Sequence, residues 1–135
     1  MASAALNTAD LLSAAKRSLE TYLEVHTDDD GALSFQHKGV PCAVQATQLV
    51  EGLTMLSMTC VVAWDLPASD ELAAKLTHRA GDGLFGTLGV VSSPSGMDVT
   101  LRYAFPAEGM GNAPLGTLLM LVVSTASQLR DELLD

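Results

Sequence analysis

From Leu12 onward, apolar residues recur at helical spacing, at Leu12, Ala15, Leu19, Tyr22 and Leu23, while Lys16, Arg17, Glu20 and Glu24 lie mostly off that face. The spacing predicts a helix over Thr8 to Val25. Asn7 supplies an N-cap, Asp10 complements the exposed amides, and Leu6 and Leu11 bracket the start as a hydrophobic staple. Asp28-Asp29-Asp30-Gly31 ends the helix. The period then changes from helical to two. A strand is expected over Ala32 to His37, with Leu33 and Phe35 on one face, and a turn at Lys38-Gly39. A second runs from Val40 to Thr47, with Val40, Cys42, Val44 and Ala46 on one side. After Glu51-Gly52, the third and strongest strand spans Leu53 to Trp64. Leu56, Met58, Cys60, Val62 and Trp64 make one apolar face, and Met55, Ser57, Thr59, Val61 and Ala63 make the other. That mixture predicts one face in the core and one half-open.

Asp65-Leu66-Pro67 stops the third strand. Ser69 caps a short helix whose Leu72, Leu76 and Ala80 share a face, and Gly81 closes it. Leu84 to Val91 and Asp98 to Phe105 read as the fourth and fifth strands, separated by a turn over Ser92 to Gly96. Val99, Leu101, Tyr103 and Phe105 align on one face of the fifth. A Gly-rich loop from Pro106 to Ala113 leads to Asn112 and Pro114, which open a long last helix. The expected order is α-β-β-β-α-β-β-α. Short turns imply antiparallel hairpins, so the fold class is α+β, an antiparallel five-stranded sheet with flanking helices. No linker or repeat divides residues 1–135, which are read as one domain with a flexible start over 1–6.

The length of 135 residues suits one core, and 48% hydrophobic content is enough to fill it. Aromatics are only 4%, so the core must rest on Leu, Val, Ala and Met. The formal charge of −9 comes from 16 acidic and 7 basic residues, with no basic stripe. Nucleic acid and anionic membranes are therefore poor partners, and basic polypeptides are better ones. Met1-Ala2-Ser3-Ala4-Ala5 has neither a basic start nor a long apolar run, and the longest apolar stretch, Leu118 to Val123, is too short to span a bilayer. A cytoplasmic location is expected, with Cys42 and Cys60 reduced and packed on the apolar sides of their strands.

The chain lacks the signatures of familiar chemistry. Taken as a calcium loop, Asp28-Asp29-Asp30-Gly31 would begin at His26 and end at His37, without the acidic first ligand or the final Glu that such a loop needs. His26, His37 and His78 stand apart, without metal-ligand spacing. No Gly-x-Ser-x-Gly, Walker or His-Glu-x-x-His motif occurs. No metal, cofactor or catalytic residue is assigned. In the last helix, Leu115, Leu118, Leu119, Val122, Ala126, Leu129 and Leu133 form one stripe. Met120, Leu121 and Val123 fall outside it and imply burial on a second side.

Three segments resemble a known family: Asp30-Gly31-Ala32-Leu33-Ser34-Phe35 with Gly39-Val40-Pro41-Cys42; Val61-Val62-Ala63-Trp64-Asp65-Leu66-Pro67 leading into the short helix; and Val99-Thr100-Leu101-Arg102-Tyr103-Ala104-Phe105-Pro106 before the long helix with Asp131 near its end. In this order they are similar to the YbjN-like branch of the type III secretion chaperone-like superfamily, over about residues 8 to 134. The resemblance implies a curved antiparallel sheet flanked by helices, peptide or protein binding of a chaperone-like or regulatory kind, and a homodimer. It carries over no catalytic residues. With so few aromatics, grooves here must be lined by Met, Leu and Val.

The leading expectation is a non-enzymatic module that docks a polypeptide segment on the half-open sheet face, at Met55, Thr59 and Val61. The alternative is a self-assembling structural or regulatory protein, with contacts through Met120, Leu121 and Val123 or through Leu72 and Leu76. A third is a small enzyme, which a pocket converging on His37, His78 or a buried carboxylate would favour.

Overall fold

A computed structural model describes residues 8–82 and 85–134. Its elements are α1 (Thr8–Glu20), β1 (His26–Thr27), β2 (Leu33–His37), β3 (Val40–Val50), β4 (Leu53–Leu66), α2 (Asp70–Ala80), β5 (Thr87–Ser93), β6 (Gly96–Pro106) and α3 (Asn112–Leu134). The expected cap Asn7, staple residue Leu6 and strand start Leu84 lie outside the described residues. The class is α+β, and the sheet is antiparallel throughout, in the order β1-β2-β3-β4-β6-β5.

Six strands replace the expected five. The extra one, β1, pairs His26 with Ser34 and Thr27 with Leu33. It forms because α1 stops at Glu20, five residues earlier than the periodicity suggests. Tyr22 and Leu23 both donate backbone hydrogen bonds to Leu19 O, which tightens the last turn and releases the chain. Tyr22 consequently faces solvent, and the face that α1 buries is Leu11, Ala14, Ala15, Ser18 and Leu19. The acidic segment is a hairpin turn between β1 and β2. Its carboxylates serve their own turn, Asp30 Oδ1 accepting from Ala32 N and Asp28 Oδ1 accepting from the Ser34 hydroxyl.

The strand pattern follows the alternation of the sequence. On β4, Leu56, Met58, Cys60 and Val62 are fully buried, while Met55, Ser57, Thr59 and Val61 are half-buried. Each buried Leu, Met or Val side chain contributes about 1.5–3 kcal/mol of apolar transfer. Helices α1 and α3 pack together on this core, meeting β3 and β4, and α2 sits beside β5. Arg79 joins α2 to α3, its Nε 2.9 Å from Glu132 Oε2. Ser69 caps α2 as expected, its hydroxyl accepting from Leu72 N. The β2–β3 turn has positive φ at both Lys38 (50°) and Gly39 (82°), the requirement of a type I′ hairpin.

Trp64 departs from its expected place. The pairing of β4 with β6 shifts between Val61 and Ala63, so Val62 and Ala63 are both buried and Trp64 turns outward at 46% exposure. Arg130 of α3 caps the irregularity. Its Nη1 donates to Val62 O at 3.0 Å, and its guanidinium lies 5.0 Å from the Trp64 ring centroid. Part of the tryptophan surface is thus covered by a cation and not by the core.

Candidate functional site

The side of β4 that carries Met55, Thr59 and Val61 is the half-open sheet face expected from the alternation. Its neighbours come from the register. Thr59 lies between Ala43 of β3 and Arg102 of β6, and Arg102 is opposite Thr87 of β5. Val61 is opposite Thr100, which is opposite Gly89. Met55 lies between Thr47 and Pro106, beyond the end of β5. Thr59 and Val61 therefore share rows with the β5 edge, and Met55 does not. The face is dominated by Thr, Ser, Ala and Gln, with few large apolar groups.

Larger apolar exposure occurs at the sheet margin. Strand β5 reads Thr87-Leu88-Gly89-Val90-Val91-Ser92-Ser93, and Val90 and Val91 are 44% and 57% exposed. Among the described residues it is the terminal strand of the sheet, paired with β6 alone and without a register shift. It contains no charge, no proline and no bulge, the devices that ordinarily protect an edge. The alternation of the sequence does not single out Val90 and Val91, because uncharged runs at least as long make up β3 and β4 as well.

Among the expected self-association contacts, three are absorbed by the fold. Val123 is fully buried beside Val122 and Ala126, and Leu72 and Leu76 of α2 are buried in the same core. None of the three offers a free surface. Met120 is half-buried and Leu121 is exposed, so the outer side of α3 retains a smaller apolar patch than the sequence suggests.

The histidines do not converge. His78 is largely exposed, 3.8 Å from Asp82 Oδ2. A hollow of about 470 Å³ beside β1 and β2 is lined by Glu24, His26, Ser34, Phe35, Gln36, Pro41 and Cys42. The buried polar residues among those described are Ser18, Thr54 and Ser127, and no carboxylate is among them. Thr54 donates to Glu108 Oε1 at 2.6 Å, which anchors the loop before α3. Among the described residues, no group of three or more His, Cys, Asp or Glu is placed to hold a metal ion. No described helix is long and apolar enough to cross a membrane.

Cys42 and Cys60 are both free and buried on neighbouring strands, directly opposite each other. Hydrogen bonding to Cys60, with burial adding to it, holds the Cys42 thiol far above the ordinary thiol range. Because both side chains are buried, both thiols are expected to label slowly with a bulky disulfide reagent in native buffer, by at least about a hundredfold relative to denatured chain. Fast stoichiometric labelling of either one would overturn the packing described for β3 and β4.

No protein-family model matches the chain, and a search of curated proteins finds no match to it.

Proposed function

We propose that this chain is a non-enzymatic polypeptide-binding module, chaperone-like or regulatory, that takes an extended segment of another protein as a strand added along β5. The observation that carries this reading is the edge itself: an uncharged, unbulged terminal strand with Val90 and Val91 exposed. Backbone pairing would supply affinity, and alternate side chains of the segment would lie beside Thr87, Gly89 and Val91, continuing the rows of Thr59 and Val61. The net charge of −9 favours a segment with basic flanks. The resemblance to the secretion-chaperone-like proteins points to the same class of role.

The test is titration with ten-residue peptides of alternating Val and Thr flanked by lysines. The Val90→Lys, Val91→Lys double variant is expected to bind at least about tenfold more weakly, with its circular dichroism unchanged. Equal binding by the double variant, or no binding by the parent chain up to about 1 mM, would refute the assignment of the edge.

Self-association is the second reading, favoured by exposed Leu121 beside Met120 on α3. A two-fold dimer is the expected form. Sedimentation equilibrium at high micromolar concentration is expected to give a dimer mass. Leu121→Glu should abolish it if α3 makes the contact, and Val90→Lys should abolish it if β5 pairs with its own copy. A strictly monomeric mass refutes both forms of the contact.

A further inference from the structure

We propose that Cys42 and Cys60 are a reversible dithiol–disulfide pair that clamps β3 to β4, closed by hydrogen peroxide or a low-molecular-weight disulfide acting as a two-electron oxidant. The inference is independent of the peptide-binding reading. Three observations carry it. The two residues are Cα partners in the β3–β4 register, so their side chains project from the same side of the sheet at the same level. Their sulfurs are 3.4 Å apart. Neither has another sulfur with which to pair, since these are the two cysteines of the sequence.

Direct opposition is what distinguishes this pair from two cysteines that merely share a core. Side chains one diagonal step apart in a sheet are about 7–8 Å apart, whereas directly opposed Cβ atoms lie near the span that a disulfide requires. Going from 3.4 Å to a bond of about 2.05 Å moves each sulfur by roughly 0.7 Å, which side-chain rotation can provide without a change of register. The bond would join residues 18 apart in sequence, across a hairpin that already holds them together, so the folded state itself presents the reactive geometry.

The chemistry balances with either oxidant. With peroxide, a thiolate of the pair attacks one peroxide oxygen, the O–O bond breaks, and a sulfenic acid and hydroxide form. The second thiol then attacks the sulfenic sulfur, the S–O bond breaks, and water leaves. In sum, two thiols and one peroxide give one disulfide and two waters. With a small disulfide, the first thiolate displaces one of its thiols and the second displaces the other. Cys42 is the less buried residue of the pair, at 4% exposure against 0% for Cys60, and it lies on β3, beside β2. Its thiol is held protonated by Cys60 and by burial. The pair therefore answers sustained oxidation and not a brief pulse.

The experiment uses the full chain, folded, incubated overnight in a series of reduced-to-oxidised glutathione ratios and, separately, with hydrogen peroxide. Each sample is then denatured in alkylating reagent and weighed. The expected product has lost two hydrogens, takes up no alkyl groups, yields one linked peptide pair containing Cys42 and Cys60, and reverts with dithiothreitol. Its melting temperature should rise by up to about 10 °C, as for closure of a loop of this length. Circular dichroism before denaturation establishes that closure occurred in the folded chain. Cys60→Ala should give a mixed disulfide or sulfenic acid at Cys42 and no linked product. The proposal is overturned if both thiols remain alkylatable across the series, if the linkage joins separate chains, if sulfinic acid is the sole product, or if closure needs denaturant before oxidant. The parent-chain result decides the matter even if the alanine variant fails to fold.

Discussion

Leu56→Asp is expected to leave no stable fold, and Val62→Asp to come close to it. Both side chains are fully excluded from water on the core face of β4. Leu56 lies between Ala46 and Phe105, two apolar cross-strand neighbours that offer an aspartate no hydrogen-bonding side chain. A charge placed there costs several kcal/mol, a large part of the ~5–15 kcal/mol that holds a domain together. Val62→Asp should be the milder of the two, because Arg130 already reaches the Val62 carbonyl. Thr59→Asp, only three residues from either, should stay within about 0.5 kcal/mol of the parent. It emerges on the half-open face with Arg102 directly opposite. Urea unfolding ranks the three. The reverse ranking would mean that the two faces of β4 are exchanged.

Gly116→Leu should lower the melting temperature by about 5 to 10 °C, while Gly116→Ala should shift it by no more than a few degrees. Gly116 is buried where α3 crosses α1. A Cβ there would stand 3.3 Å from Ser18 Cβ and 3.5 Å from Ser18 O. The same crossing is tied by the Ser18 hydroxyl, which donates to Asn112 O at 3.1 Å. One methyl group asks the helices to yield by a few tenths of an ångström, and the gain in helix propensity of about 1 kcal/mol offsets that. A leucine cannot be housed in the same gap, so the helices must part along their contact. A leucine variant that melts with the alanine variant would show that α1 and α3 do not approach so closely.

The sheet was legible because its strands alternate cleanly against a core that needs one covered face. Cys42, Val44, Leu56, Met58, Val62, Val99 and Leu101 all read correctly from period two. The misplacements have separate causes. The end of α1 carries no glycine or proline, so nothing in Thr21-Tyr22-Leu23 announces the stop, and a two-residue strand such as β1 is too short to alternate. Trp64 was misjudged because a bulge shifts the phase of a strand, and no residue of Val61-Val62-Ala63 marks a bulge in advance. Val123 looks surplus only against a stripe about 100° wide. It stands four residues after Leu119 and three before Ala126, both buried, and the apolar face of α3 is wide enough, at about 140°, to include it. On the candidate site, Thr59 and Val61 follow from alternation alone. The bare β5 edge does not, because which strand ends up outermost depends on β6 turning back to pair with β4, a long-range choice that local pattern does not encode.

Helix α3 covers β3, β4 and β6, yet it follows all six strands in the chain. On a ribosome, that order leaves an interval. At about 5 to 20 residues per second, the 23 residues of α3 take roughly 1 to 5 s to be made after β6 is complete. During that time Leu56, Met58, Cys60 and Val62 lack their principal cover. The nascent chain thus passes through a state more adhesive than the folded protein, and the time taken to make α3 governs how long that state lasts. Slowing translation within the codons of α3 should therefore raise the fraction of newly made chain lost to aggregation, and speeding it should lower that fraction.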